Sequence, residues 1–106
     1  MPDNDFVPPL ADTSDAHPEP TTLSLAGDLE DADAIREAIR VASGNYSRSL
    51  GVDLTAVTFV PSEVIAVLFA SQRAAEKART TIVIAVAAGS IAHRVARITT
   101  LPHIVV

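Results

Sequence analysis

The pair Ser62-Glu63 is the stretch of this sequence whose residue types most suggest chemistry. It lies in "VTFVPSEVIAVL", residues 57–68, where an apolar run ends, a proline follows and a second apolar run begins. A serine and an acid at a helix start can simply favour the helix, because the dipole stabilises an acid there by about 0.3–1 kcal/mol. They can also form a regulated site, because a helix N-terminus accommodates added negative charge. Both interpretations are open at this point.

Other residues with catalytic or ligand-binding potential are scattered along the chain. His93 and His103 stand ten residues apart, with no carboxylate at a ligand spacing. Gly27 has no phosphate-loop pattern around it, and the sequence contains no cysteine. An enzyme would have to build its acid–base pair from Asp53, Glu30, His93 and Glu63. We therefore predict no enzymatic activity, no metal and no cofactor.

Charge is unevenly distributed over the 106 residues, whose net charge is −5. Residues 1–34 contain nine acids and no Lys or Arg, whereas all eight basic residues follow. The basic residues are spread out and there are three Phe and one Tyr, so no stacking platform for nucleic acid is predicted. No apolar run reaches 18 residues, and the acidic start is unlike a signal peptide. We expect a cytoplasmic protein with neither nucleic-acid nor membrane binding.

The order of the predicted elements indicates an α/β domain over residues 21–106. Residues 1–20 hold five of the seven prolines and predict a flexible acidic tail, although Phe-Val-Pro at 6–8 could lie along a sheet edge. Hydrophobic periodicity predicts strands near 21–27, 50–59, 80–86 and 103–106, and helices near 31–42, 62–78 and 89–100. Alternation of this kind favours a largely parallel sheet.

The apolar patterns also predict which side chains are buried. Val52 and Leu54 should point one way from the second strand and Asp53 the other. The β-branched run "TTIVIAVAA" is typical of a strand buried on both faces. In the third helix, Ser90 is a predicted cap, and one apolar face should comprise Ile91, Val95 and Ile98.

Three segments, in order, resemble the signatures of a STAS domain, the fold of bacterial anti-sigma factor antagonists. The first is "LAGDLEDADAIREAI", in the place of a strand ending in Gly-Glu-Leu-Asp before a helix. The second is "VDLTAVTFVPSEVIAVL", where the family has a strand running into Asp-Ser-Ser-Gly-Leu. The third is "IVIAVAAGSIAHRVARITTLPHIVV", where the family has a buried strand and a helix ending in Leu-Thr-Gly-Leu.

The resemblance implies a degenerate phosphorylation site at the start of the second helix. In these antagonists the second serine of Asp-Ser-Ser-Gly is phosphorylated by the anti-sigma factor, and this position falls on Glu63. The family's aspartate, first serine and glycine fall on Pro61, Ser62 and Val64. Glu63 then resembles a permanent phosphate, Ser62 is an alternative acceptor, and Val64 would place branched bulk where a kinase brings its nucleotide.

The implied function is that of a regulatory binding module in partner switching. The expected partner is an anti-sigma factor of the histidine-kinase-like ATPase type or another STAS protein, with a homodimer left open. The expected contact residues are Asp28, Glu30, Asp31, Pro61, Ser62, Glu63 and Val64. The alternative is a sensor or carrier that binds a small molecule or anion at the second helix. The sequence also stops where the family usually adds a terminal helix, so a bare apolar sheet face is expected.

Overall fold

Four strands alternate with three helices in the computed structural model, which describes residues 21–106. The elements are β1 (Thr21–Asp28), α1 (Ala32–Ala42), β2 (Leu50–Phe59), α2 (Ser62–Lys77), β3 (Ile82–Val86), α3 (Ile91–Thr99) and β4 (Ile104–Val105). Every predicted element is present, with ends within two residues of the predicted bounds, so the predicted α/β class is confirmed. The predicted tail, with its alternative place along a sheet edge, lies outside the described residues.

The sheet is parallel throughout, and its strand order β1-β2-β3-β4 follows the sequence. Since parallel strands are joined by right-handed crossovers, sequential order places successive helices on the same face of the sheet. The buried side chains agree with this, because one core cluster includes Ile39 from α1, Leu68 from α2 and Ala96 from α3. The other sheet face has no helix from residues 21–106 on it.

Burial along the strands shows one covered and one uncovered face. On β2, Val52 and Leu54 are buried and Asp53 lies on the opposite face, as predicted. On β3, the prediction of burial on both faces is wrong within the described residues: Ile84 is fully buried, whereas Val83 is 38% exposed. The physical reason is the sequential strand order, which leaves the second face without helices.

The third helix is turned differently from its predicted orientation. Of the predicted face, Ile91 and Ile98 point to solvent, with Ile98 75% exposed, whereas Val95 is partly buried against the core. Ala92 and Ala96 are buried instead. Small side chains at a contact allow a helix to approach its neighbour closely, so the alanine face packs toward the sheet. The predicted cap is confirmed, because the Ser90 hydroxyl accepts a hydrogen bond from the backbone N–H of His93 at 3.0 Å.

Truncating the core should reveal how strongly α2 is held against the sheet. The Leu68 side chain is fully buried, so Leu68→Ala should lower the free energy of unfolding by about 2–5 kcal/mol in a urea titration. Val41→Ala on α1 removes a side chain that is 59% exposed, and it should change the free energy by less than about 0.5 kcal/mol. Equal effects of the two substitutions would contradict the described packing.

Candidate functional site

The loops that follow β1 and β2 lie side by side, because parallel strands end at the same edge of a sheet. Gly27, near the end of β1, has φ +72°, a left-handed conformation that favours glycine, and the pairing register with β2 shifts between Gly27 and Asp28. Two contacts then hold the β1 end against β2. The Thr58 hydroxyl donates to the Asp28 carboxylate at 2.5 Å, and the Leu29 backbone N–H donates to the Phe59 carbonyl at 3.0 Å. The loop containing Glu30 and Asp31 is thereby fixed next to the start of α2.

The start of α2 depends on backbone bonds rather than a side-chain cap. Pro61 is the N-cap residue, and no side chain caps the helix there. The Pro61 carbonyl accepts hydrogen bonds from the N–H groups of Val64 and Ile65, at 3.0 and 3.2 Å. Ser62 and Glu63 are the first two helical residues and both are exposed. Ser62 therefore does not cap α2 through its side chain.

Val64 does not lie on the surface, where the resemblance to the family's Asp-Ser-Ser-Gly pattern placed it. Its side chain is fully buried in the core. In this position the side chain is inaccessible to a partner or to an incoming nucleotide, so we leave Val64 out of the proposed contact surface. The reason for its burial is helical periodicity, because Val64 shares the inward face of α2 with Leu68 and Ala75.

A shallow, negatively charged concavity lies between the starts of α1 and α2, and we call it the acidic groove. Its lining consists of Glu30, Asp31, Ala32, Asp33, Arg36, Glu63 and Ala66. Four carboxylates thus face one guanidinium. Arg36 pairs with Asp33 at 2.5 Å, but both side chains are more than half exposed, so water weakens this attraction. Within the described residues, neither Glu30 nor Glu63 forms a salt bridge.

The groove contains some of the predicted contact residues and adds others. Glu30, Asp31 and Glu63 line it, and the exposed Ser62 adjoins Glu63 in α2. Asp31 also caps α1, since its carboxylate accepts from the Ala34 N–H at 3.0 Å. Asp28 is exposed and bonded to β2, and Pro61 is half-buried, but neither lines the groove. Sequence reasoning missed the remaining lining residues, which helical spacing could have indicated: Ala32, Asp33, Arg36 and Ala66.

Of the four residues that could have formed an acid–base pair, only Glu30 and Glu63 share this groove. Asp53 lies on the uncovered sheet face. The Thr55 backbone N–H, which donates to its carboxylate at 2.9 Å, lowers the pKa of Asp53. A lowered carboxyl pKa stabilises the fold above about pH 4, and this contribution is lost as the pH falls through the folded value.

The two histidines near α3 are neighbours, with ring centroids 5.7 Å apart. Their hydrogen bonds are local. His93 Nδ1 accepts from the Gly89 N–H at 2.9 Å, and His103 Nδ1 lies 2.7 Å from the Leu101 carbonyl oxygen. Residues 21–106 contain no group of three or more metal-binding side chains placed to share an ion. None of their helices has the length and apolar character needed to cross a membrane.

Comparison with known protein families gives a match over most of the chain. The family model described as "Mlab, STAS domain" matches residues 13–105, which is most of the chain. The matched region begins before the first described residue and includes every strand and helix of the fold. No curated protein matches the chain.

Two serines at helix starts provide a matched test of the local geometry. Ser90 caps α3 through its hydroxyl, so Ser90→Ala should lower the free energy of unfolding by about 0.5–2 kcal/mol. Ser62 occupies the first turn without capping α2, so Ser62→Ala should change it by no more than a few tenths of a kcal/mol. Thermal unfolding of both variants measures the difference. A loss for Ser62→Ala as large as that for Ser90→Ala would show that Ser62 caps after all.

Proposed function

Because the chain belongs to the STAS domain family, we propose that it is a non-enzymatic regulatory module that binds another protein through the acidic groove. The proposed partner is an anti-sigma factor of the histidine-kinase-like ATPase type or another STAS protein, in the cytoplasm. The observation that carries the proposal is Glu63. It is exposed in the first turn of α2, at the position that resembles the family's phosphoserine.

The charge at this position suggests which state the module imitates. A phosphoserine carries about −1.5 to −2 charge, and the unpaired N–H groups of a first helical turn stabilise it. Glu63 supplies a permanent −1 charge at the same end of α2. In the related antagonists, phosphorylation releases the anti-sigma factor. The module is therefore held near the released form and binds its partner more weakly than an unphosphorylated antagonist does.

The exposed Ser62 could also accept a phosphate, but its surroundings make it a poor acceptor. Its hydroxyl is accessible, but the adjacent Glu63 repels the phosphates of ATP, and Glu30 and Asp31 add negative charge nearby. We propose that the kinase transfers little phosphate to this chain, and that the charge at Glu63 replaces the transfer.

The geometry favours a protein partner over the small-molecule alternative. Ligands of open α/β sheets bind where the strand order reverses, and the order β1-β2-β3-β4 contains no such reversal. The acidic groove is shallow and its carboxylates repel an anion. A protein surface with basic residues is the better complement, since opposite charges steer association and select the partner.

Neutralising Glu63 should strengthen partner binding if its charge is what weakens the complex. The partner would be captured from the source cell with the wild-type chain and with Glu63→Ser, and its affinity measured by calorimetry. Glu63→Gln should bind more tightly than wild type, and the gain should shrink as salt screens the charge. Glu76→Gln is the matched control, because Glu76 is an exposed acid near the other end of α2. Equal affinity of Glu63→Gln and wild type would leave Glu63 with only a helix-start role.

Restoring the family's pattern should restore phosphorylation. With the captured kinase and ATP, the wild-type chain should incorporate little phosphate, and the double variant Pro61→Asp and Glu63→Ser should incorporate much more. Val64 should be left unchanged, because Val64→Gly would empty a fully buried site and destabilise the core. Strong phosphorylation of the wild-type chain would contradict the proposal, and Ser62→Ala would then show whether Ser62 is the acceptor.

A further inference from the structure

The sheet face opposite the helices carries a hollow that we call the open-face hollow. Strand register brings its residues together: Thr22 pairs with Gly51, Gly51 with Val83, Asp53 with Ala85, and Ala85 with Ile104. The principal lining residues are Thr22, Gly51, Asp53, Val83, Ala85 and Ile104. Val83 and Ile104 remain 38% and 49% exposed. No helix from residues 21–106 covers this face.

An uncovered face is unusual for a parallel sheet, because such sheets are almost always covered on both sides. The sequence of β3 fits the covered state, since Val83 and Ala85 continue the apolar run instead of alternating with polar residues. A strand that faced water permanently on one side would be expected to alternate. The composition of β3 therefore indicates that something covers the open-face hollow.

Gly51 indicates where the segment that covers the hollow comes closest to the sheet. Its backbone is not in the left-handed region, so its conformation does not require glycine. Space within the domain does not require it either, because an added Cβ would lie 3.6 Å from the Thr22 hydroxyl, an ordinary contact. A glycine inside a strand weakens the strand, and it often marks a close approach by another backbone or a ligand. The described residues supply no such neighbour.

We infer that residues 6–10 of this same chain, Phe-Val-Pro-Pro-Leu, cover the open-face hollow. The segment is joined to the sheet through Thr21, the first residue of β1, and the next residue, Thr22, lines the hollow. The ten residues 11–20 can extend about 33 Å, whereas four strands measure roughly 15 Å across. The connection therefore reaches every part of the hollow, and a tether of this length gives an effective concentration in the millimolar range.

The chemistry of the segment suits an apolar hollow in a sheet whose backbone groups are already paired. Phe6, Val7 and Leu10 supply apolar side chains. Pro8 and Pro9 lack N–H groups that burial would leave unpaired, and they favour an extended form that loses less entropy on docking. Asp53 is the one charged lining residue, and it repels the acids that flank the segment. Apolar contact must therefore hold the segment, so added salt should not release it.

The test uses the full chain with methyl-labelled Ile and Val, observed by NMR. The tail variant Phe6→Ser with Leu10→Ser should shift the methyl signals of Val83 and Ile104 and leave Ile98, on the outward face of α3, unchanged. The wild-type signals should be independent of protein concentration. Unshifted Val83 and Ile104 signals in the tail variant would overturn the proposal. Concentration-dependent wild-type signals would also overturn it, because a second copy would then be the cover.

Unfolding in urea provides an independent readout through Gly51. In the tail variant, Gly51→Val should raise the urea midpoint, because a β-branched residue favours the strand. With the wild-type tail the gain should vanish or reverse, because the new side chain occupies the space of the docked segment. Ala56→Val, at an exposed position of β2 outside the hollow's lining, should give the same midpoint change in both backgrounds. Equal gains from Gly51→Val in the two backgrounds would contradict the inference.

Discussion

Parallel pairing of four strands in the order of the sequence determines where the rest of the molecule lies. Each right-handed connection returns over the same face, so the three helices share one core with β2 and β3. The same pairing brings the C-terminal ends of β1 and β2 to one edge, where α1 and α2 begin. One face of the sheet is thereby packed, one is left open, and one edge collects the helix starts.

Helix starts and acidic side chains reinforce one another at that edge. The first turn of a helix presents unpaired N–H groups and favours negative charge, which helps to stabilise Asp31, Asp33 and Glu63 there; of these three, Asp33 also pairs with Arg36. Their cost to the fold is small, and together with Glu30 they give the groove a net negative charge, which Arg36 offsets only in part. The charge that stabilises the helix starts thus also defines the acidic groove, and a protein partner with basic residues complements it.

Hydrophobic periodicity, together with helix-starting residues such as Pro61, predicted the helices and strands and most of the core. Pro61 and the apolar spacing after it predicted α2, and the alternation of Val52, Asp53 and Leu54 predicted the faces of β2. Periodicity could not predict what covers the second face of β3. An apolar strand indicates that both of its faces are buried, but its sequence does not say whether the segment that buries them belongs to the domain. Periodicity also could not predict which face of α3 packs against the sheet, the one with Ile91 and Ile98 or the one with Ala92 and Ala96. Helical spacing predicts that Val64 lies on the buried side of α2, which is confirmed, whereas alignment with the family's glycine suggested a surface role.

The acidic groove as the partner-binding surface is the central claim, and mapping backbone amide signals by NMR tests it most directly. The labelled chain would be titrated with the partner captured from the source cell. The account predicts that the largest changes occur at Glu30, Asp31 and Glu63, and that they weaken as salt is added. Changes confined to α3 or to the open-face hollow, with the groove amides unmoved, would contradict it.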